Sequence, residues 1–240
     1  MSIDNYIDVN IEKKIDIKKE ILQNQLAKIY KSEIESLPKL NIENFSKDNT
    51  ALVIIDMIEG FTRIGNLKSD RIEKKIVPIA NLAKEFTQKE FKILAFADQH
   101  DENSPEFDVY GEHCIKGSKE CEVVQEIKDV VKDNLLVIPK NSNNGFIEDA
   151  FQNWLKVNEN INNFIVVGGC TDICIDVFSN SMKSYMNQKN KKGVVAIPES
   201  LVATYDIPGH NGEFKHYEAL VNMKEKGIDI YSGVNNPSLK

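Results

Sequence analysis

From residue 51 onward the chain alternates short runs of β-branched and aliphatic residues with longer segments of helical periodicity. Strict alternation of this kind is typical of right-handed β-α-β units, which build a parallel sheet covered by helices on both faces. The runs predict six strands, at residues 51–55, 92–96, 135–138, 164–167, 194–197 and 228–231. We therefore predict an α/β protein with a six-stranded parallel sheet.

The first 48 residues have a different pattern. They are rich in Lys, Glu, Ile and Leu, and apolar residues recur at roughly helical spacing: Ile15, Ile17, Ile21, Leu22, Leu26, Ile29 and Tyr30. We predict an amphipathic helical extension over 1–48 and one α/β domain over 49–240, since α/β units of this length form a single domain. The extension either packs on the flank of the domain or contacts another subunit, and the sequence does not choose.

Composition excludes several functions. A net charge of -7 gives no basic surface for nucleic acid or an anionic membrane, and no apolar run is long enough to span a bilayer. Neither a GxGxxG motif nor a P-loop follows any predicted strand, which argues against dinucleotide and nucleoside triphosphate binding. The opening residues lack the pattern of a secretory signal, so we expect a cytoplasmic protein whose four cysteines are free thiols.

Ligands of parallel α/β sheets bind beyond the carboxyl ends of the strands, so the residues that follow each strand are the candidates for chemistry. Asp56 follows the first predicted strand and is either a base or an ordinary turn-capping residue. Lys140 follows the third strand. A lysine in that place is a solvated charge unless an acid lies beside it.

A possible metal site follows the second strand. Asp98 and His100 are two residues apart, which in extended chain puts their side chains on one side, and His113 lies in the irregular segment that comes next. One carboxylate and two imidazoles would leave positions open for water or substrate, as in catalytic metal sites. The alternative is a hydrogen-bonded cluster at the strand end and an unrelated loop histidine.

The segment VVGGCTDICIDVF follows the fourth strand and holds two cysteines. Gly168 and Gly169 predict a flexible turn into a helix that begins near Cys174, with Thr171 or Asp172 as its cap. The free N–H groups of a helix start lower the pKa of a thiol and can hold an oxyanion, which favours Cys174 as a nucleophile. The alternative for Cys174 is a small core residue, and we predict that role for Cys170.

Together these segments resemble the isochorismatase-like cysteine hydrolase family and, within it, the nicotinamidases, over about residues 50–232. The resemblance rests on five segments in the family's order: IIDMIEGF at 54–61, DQH at 98–100, YGEHCIKG at 110–117, IPKNSNNGF at 138–146 and GGCTDIC at 168–174. Each segment is weak evidence by itself, whereas five at matching spacing make a specific pattern.

The resemblance implies a family fold, an activity and a set of site residues. The activity would be hydrolysis of nicotinamide to nicotinate and ammonia, in pyridine nucleotide biosynthesis, by a chain that commonly self-associates into a homo-oligomer. The implied residues are Asp56, Lys140 and Cys174 as catalytic triad, Asp98, His100 and His113 as ligands of a divalent metal, most often zinc, Phe61 against the substrate ring, and the backbone N–H groups of Cys170 and Cys174 as oxyanion hole. A cis peptide is implied at Gly169–Cys170.

Two departures bear on the substrate. Glu59–Gly60 stands where many nicotinamidases have Asn-Asp, and Tyr110–Gly111 replaces Trp-Pro, so the wall around the pyridine ring is expected to differ. A related amidohydrolase acting on a carbamoyl or ureido compound remains an alternative, as does a catalytically silent scaffold whose N-terminal helix recruits a partner. His210 and His216 receive no role from the sequence.

Overall fold

A parallel β-sheet forms the centre of the protein. The computed structural model describes residues 3–235, with side chains from residue 14 onward. The strands are β1 (Thr50–Ile55), β2 (Lys92–Asp98), β3 (Leu135–Lys140), β4 (Asn163–Gly169), β5 (Val194–Pro198), β6 (Val202–Ala203) and β7 (Asp229–Tyr231). Their order is β3-β2-β1-β4-β5-β7, with β6 paired to the end of β4, and every pairing is parallel. The six predicted strands are confirmed, and the two-residue β6 was missed.

Helices connect the strands and cover both faces of the sheet. Their bounds are α1 (Ile3–Glu35), α2 (Glu59–Thr62), α3 (Asp70–Glu73), α4 (Ile76–Gln88), α5 (Phe107–Tyr110), α6 (Gln125–Val131), α7 (Asp149–Val157), α8 (Asp176–Gln188) and α9 (Gly212–Glu225). Apolar residues of α4 and α6 pack on one face, and those of α7, α8 and α9 on the other. The predicted helix-covered parallel sheet is therefore confirmed.

Strand β1 shows why the sheet carries such uniform apolar runs. All six of its residues are buried, because successive side chains enter opposite cores: Leu52 and Ile54 face α4 and α6, whereas Val53 and Ile55 face α7 and α8. A strand covered on both faces shows a continuous apolar run instead of alternation. β1 lies between β2 and β4, so the residue that follows it lies at the centre of the carboxyl edge.

Helix α1 lies outside the sheet layers and packs on α9. Its buried contacts come from Ala27 and Ile34, at 2% and 0% exposure. The predicted apolar face is wrong in part: Ile15, Ile17, Ile21, Leu22 and Ile29 are all exposed by half or more. The reason is that the aliphatic residues of α1 are distributed around the helix, so only the stripe toward α9 finds a partner within the described residues.

Two further observations concern the cysteines and the helices. All four cysteines are free thiols, as predicted. Within residues 3–235, no helix combines the length and the apolar character that a membrane crossing needs.

Gly168 permits the close approach of β1 and β4 at the carboxyl edge. Its φ is +119°, and a Cβ built there would lie 2.0 Å from the carbonyl oxygen of Ile55. Because that contact is with backbone, no side-chain rotation can relieve it. Only glycine fits here, two residues before Cys170.

Replacing Gly168 by alanine should destabilise the protein by at least about 3 kcal/mol, since the two strand ends must move apart. The urea unfolding midpoint measures this loss. Gly117→Ala is the matched control, because Gly117 also has positive φ (+82°) but no atom lies within 4 Å of the place that a methyl group would take. The control should cost only about 1 to 2 kcal/mol of backbone strain. Equal losses for both variants would contradict the steric account.

Candidate active site

Three strand ends bring two acids and one amine together. Asp56 follows β1, Asp98 ends β2 and Lys140 ends β3, and the register places Asp98 directly beside Lys140. The Lys140 Nζ lies 2.9 Å from the Asp56 Oδ2 and also forms an ion pair with the Asp98 Oδ1. All three side chains are buried. Lys140 is thus not a solvated charge, because two carboxylates compensate its burial.

Asp56 is aimed by its backbone. It has a φ of +53°, a left-handed conformation that aspartate tolerates better than most residues. Its N–H donates to the Phe96 carbonyl at 3.0 Å, and its Oδ1 accepts from the Asp98 N–H at 3.1 Å. The carboxylate is therefore held at the strand edge with Oδ2 toward Lys140.

Cys174 approaches this pair from a separate turn. Its side chain is 6% exposed, and its Sγ lies 3.7 Å from the Lys140 Nζ. The thiol also lies near enough to Asp56 to lower the pKa of that carboxyl group. Lys140 therefore contacts both other residues of the predicted triad. The peptide bond at Gly169–Cys170, before this turn, is cis.

Burial controls the protonation of the group. It raises the pKa of Asp56 to about 7; the Asp98 carboxylate adds to the rise, whereas Lys140 opposes it. Burial also raises the pKa of the Cys174 thiol well above its ordinary value, against the attraction of Lys140, which is the opposite of the shift expected from a helix start. Burial works against the charge of Lys140, yet the two carboxylates raise the pKa of its ammonium well above its usual range. A thiol that stays protonated at neutral pH thus lies beside an acid that can exchange a proton there.

A second cluster shares Asp98. One ligand atom each from Asp98, His100 and His113 lies within 4.8 Å of the others. The Asp98 Oδ2 is 3.6 Å from the His100 Nε2 and 3.8 Å from the His113 Nε2, while its Oδ1 faces Lys140. One carboxylate therefore connects the charged group around Cys174 with the two imidazoles.

The loop after β2 brings the histidines together. The His100 N–H donates to the Cys114 carbonyl at 2.8 Å, and the Lys116 N–H donates to the His100 carbonyl at 2.9 Å. This two-bond ladder folds the irregular segment back onto the strand end. It places His113 against His100, with ring centroids 4.6 Å apart.

The residues of this cluster fit a divalent metal ion. The His113 Nδ1 donates to the Gly111 carbonyl at 2.8 Å, which leaves the lone pair of its Nε2 free to bind a cation beside Asp98. Both ring nitrogens of His100 are buried and have no hydrogen-bond partner among the described residues. Buried polar atoms normally have partners, so a cation held by an imidazole nitrogen would account for this missing bond. Two imidazoles and one carboxylate suit zinc and also other divalent metals.

A cavity of about 210 Å³ opens beside both groups. Cys174, Asp98 and His113 are among its lining residues, and its apolar and aromatic lining includes Phe61, Tyr110, Ile173, Tyr205 and Ile207. Its volume is below the range for drug-sized ligands, so it suits a small ring compound. Phe61, predicted to contact substrate, is 7% exposed, and its ring centroid lies 5.8 Å from that of His113.

The sequence matches a family model described as the isochorismatase domain over residues 50–226, which is more than half of the chain. The chain belongs to the isochorismatase family. Nicotinamidase 1 of Arabidopsis thaliana is 30% identical to it over 218 residues, which cover 78% of this chain and 87% of that protein. The family resemblance inferred from the sequence is confirmed.

Solved structures agree with this fold. The pyrazinamidase/nicotinamidase of Streptococcus mutans matches with a TM-score of 0.65 and 20% identity, covering 76% of this chain and 99% of that chain. The pyrazinamidase of Pyrococcus horikoshii, a complex with zinc, matches with a TM-score of 0.62 and 21% identity, covering 76% and 98%. At these identities the likeness establishes the isochorismatase fold.

Position 60, where many nicotinamidases have an aspartate, has no room for a side chain in this protein. A Cβ at Gly60 would lie 2.9 Å from both the Cys114 Sγ and the Glu120 Cβ. The Glu120 carboxylate accepts the Cys114 N–H at 2.8 Å. Glu120 therefore fills the space beside α2 that a side chain at position 60 would need. Tyr110, the other departure, forms part of the cavity wall.

The turn that carries Cys174 differs from the prediction in two ways. Cys174 lies within a π-helical turn, Thr171–Ile175, that precedes α8, and Cys170 stands at its cap position without a side-chain bond. The capping role predicted for Thr171 or Asp172 is wrong, because both side chains bond elsewhere. Thr171 Oγ1 pairs with the buried His216 Nδ1 at 2.8 Å, and Asp172 Oδ2 pairs with the His210 Nε2 at 2.8 Å.

Cys170 also differs from its predicted core role. It packs partly against the apolar core but is only half-buried and lines the cavity. Its carbonyl accepts the N–H groups of Ile173 and Ile175, at 3.2 and 3.1 Å, and so closes the turn.

Sequence reasoning missed two residues of this site. The Glu106 Oε2 lies 3.8 Å from the His100 Nε2, and its Oε1 accepts the Asn143 N–H at 2.7 Å. Tyr205 forms a cavity wall just after β6. Neither residue belongs to a segment with periodic apolar residues, so the spacing of the sequence did not indicate that they lie at the site. The only hint for Glu106 was its place in the long loop that carries His113.

Proposed function

We propose that this protein is a cysteine amidohydrolase that converts nicotinamide to nicotinate and ammonia. The observation that carries the proposal is that Lys140 contacts both Asp56 and Cys174, and that Cys174 lines a small, largely apolar cavity. A thiol, a buried acid and a fixed cation are the groups needed for nucleophilic attack on an amide. The similarity to a plant nicotinamidase supports nicotinamide as the substrate.

The first half of the proposed reaction forms a thioester. Asp56 accepts the thiol proton of Cys174, and the sulfur attacks the carboxamide carbon as the carbonyl electron pair moves to oxygen. The backbone N–H groups of Cys170 and Cys174 would hold that oxyanion. The tetrahedral species then collapses, the C–N bond breaks, and Asp56 returns its proton so that ammonia leaves. A carboxyl group with a pKa of about 7 is suited to both transfers at neutral pH.

The second half releases the acid. Asp56 accepts a proton from water as the water oxygen attacks the thioester carbon. The C–S bond then breaks, the proton on Asp56 returns to the Cys174 sulfur, and nicotinic acid departs and releases its own proton to water to become nicotinate. In each half-reaction Asp56 accepts one proton and then returns it, so the enzyme ends in its starting protonation state.

Lys140 would act as the fixed counter-charge throughout. Its ammonium contacts the Asp56 carboxylate and lies 3.7 Å from the Cys174 sulfur. When the proton moves from sulfur to carboxylate, the negative charge moves between two atoms that both face Lys140. The transfer therefore needs little reorganisation around the buried site.

Asp98, His100 and His113 would hold a divalent metal ion, which we propose to be zinc. The donor set and the unpartnered His100 nitrogens support this assignment, as does the zinc complex of a structurally similar pyrazinamidase. When bound, the ion supplies a Lewis acid for a lone pair of the substrate. Phe61 and Tyr110 would confine the pyridine ring of the substrate between the proposed metal ligands and Cys174.

Replacing Phe61 by alanine is expected to raise KM about tenfold with a smaller change in kcat, because an aromatic wall of the cavity is lost. Steady-state ammonia release measures both constants. Phe61→Leu is the matched control: it keeps apolar burial but removes the ring. A leucine variant with wild-type KM would show that Phe61 only fills space.

The function itself is tested by measuring ammonia release from nicotinamide, beside carbamoyl and ureido compounds, before and after treatment with a chelator. We expect ammonia from nicotinamide and a loss of that activity on chelation. If only a carbamoyl compound releases ammonia, nicotinamide is the wrong substrate, and the proposal of amide hydrolysis by a cysteine stands. No ammonia from any amide, with metal present, would favour the non-catalytic scaffold.

A further inference from the structure

The loop between β6 and α9, residues 204–211, forms one wall of the substrate cavity. Tyr205 and Ile207 both line it. The loop folds into a small hairpin: the N–H groups of Ile207 and His210 each donate to the other residue's carbonyl, at 3.2 and 2.9 Å, around Pro208 and Gly209. The hairpin is local, so something else must hold it against the body of the protein.

His210 supplies that attachment on the side of the catalytic turn. Its Nε2 pairs with the Asp172 Oδ2 at 2.8 Å, and its Nδ1 pairs with the Tyr205 carbonyl at 3.1 Å. Each ring nitrogen of His210 thus has an oxygen partner from a different segment of the site. Asp172 belongs to the same π-helical turn as Cys174. One imidazole therefore links the cavity wall to the turn that carries the proposed nucleophile.

The ring of His210 also fixes the side chain of Tyr205. The two rings are stacked, with centroids 3.9 Å apart and an interplanar angle of 17°. One face of the Tyr205 ring is thus covered by His210. Two rings held in this way leave Tyr205 little freedom to swing into or out of the cavity.

Asp172 depends on His210 in turn. The Asp172 and His210 side chains are only 13% and 15% exposed, respectively. The second carboxylate oxygen, Asp172 Oδ1, is buried and has no hydrogen-bond partner in the described part of the chain. Removing the imidazole would leave a largely buried carboxylate without its compensating partner, inside the catalytic turn.

We propose that His210 is a positioning residue, which sets the shape of the substrate cavity by locking Tyr205 and the 204–211 loop to the turn of Cys174. It touches no reacting atom. This inference rests on the proposed amidohydrolase function, because its kinetic test uses nicotinamide as the substrate. The structural part, the locking of the loop, does not depend on which amide is hydrolysed.

The kinetic test compares His210→Ala and His210→Gln with the wild type, using nicotinamide and ammonia release. For His210→Ala we expect KM to rise about tenfold, because the cavity wall no longer holds the substrate ring firmly. The value of kcat should fall less, because Cys174, Asp56 and Lys140 are retained. His210→Gln keeps a donor for Asp172 and should recover part of the KM. An unchanged KM in His210→Ala would overturn the proposal.

Asn24→Ala is the matched control. The Asn24 Oδ1 on α1 accepts a bond from the Asn211 Nδ2 at 2.8 Å, so this variant removes a tether of the same loop that does not reach the catalytic turn. It should keep the wild-type KM. The double variant of His210→Ala with Asp172→Asn should be no worse than the more severe single variant, because both remove one contact. Additive losses would contradict a shared contact.

A second readout is independent of substrate. Amide hydrogen exchange over residues 204–211, and alkylation of Cys174 by iodoacetamide followed by peptide mass, should both be several-fold faster in His210→Ala than in the wild type or Asn24→Ala. Unchanged exchange and alkylation would overturn the locking role. If the wild type fails to hydrolyse nicotinamide, the proposed function fails, and these two rates still decide whether His210 holds the loop.

Discussion

Replacing Cys174 by alanine is expected to lower the rate of ammonia release from nicotinamide by at least about 10⁴-fold, because the thiol that we propose as the nucleophile is lost. The fold should be retained. The side chain is small, and the ion pairs of Lys140 with Asp56 and Asp98 do not need the sulfur. The measurements are kcat/KM and the thermal unfolding midpoint.

Cys121→Ala is a suitable control for the loss of a thiol. Cys121 is also buried, at 8% exposure, and its Sγ donates to the carbonyls of Cys114 and Ile115, away from the catalytic turn. It should keep near wild-type activity. Substantial turnover by Cys174→Ala would remove this cysteine as the nucleophile and would require another chemistry in the same cavity.

The second large effect is expected from His113→Ala, which removes one of three proposed metal ligands. Metal content, measured by elemental analysis of the purified protein, should fall from about one ion per chain to a small fraction of that value. KM should rise as well, because His113 also borders the cavity. The structural reason is that the His113 Nε2 is oriented by the bond from its Nδ1 to Gly111.

His210→Ala is the matched histidine control for metal content. Its imidazole pairs with Asp172 and Tyr205, outside the cluster of Asp98, His100 and His113. It should retain the ion. Unchanged metal stoichiometry in His113→Ala would show that His113 is only a loop residue, and the donor set around Asp98 would have to be completed differently.

The sheet and the strand-end residues could be predicted because local sequence records them directly. A strand buried on both faces appears as a continuous β-branched run, and the residue after it must lie at the carboxyl edge, which determined the expected places of Asp56, Asp98 and Lys140. Their mutual contacts follow from the order β3-β2-β1-β4, which makes these strands neighbours. The sequence alone left open whether Lys140 faced an acid.

The missed features depend on contacts between segments far apart in the chain. Glu106, Tyr205 and His210 lie in irregular loops, whose paths are set by the elements around them, so neither spacing nor periodicity indicates where they end. Strand β6 has only two residues, too few for a pattern. The face of α1 was predicted wrongly because periodic aliphatic residues do not say which of them meets a partner.

The glycine at position 168 has a consequence for how such a site can change. It lets the β4 backbone pass close to the Ile55 carbonyl, which immediately precedes Asp56, so main-chain atoms, not interdigitated side chains, set the spacing of these two strand ends. Residues around the mouth of the pocket take no part in that backbone contact. An engineer could therefore retarget the specificity of this scaffold by rebuilding its loops, provided that the link from His210 to the turn of Cys174 is kept.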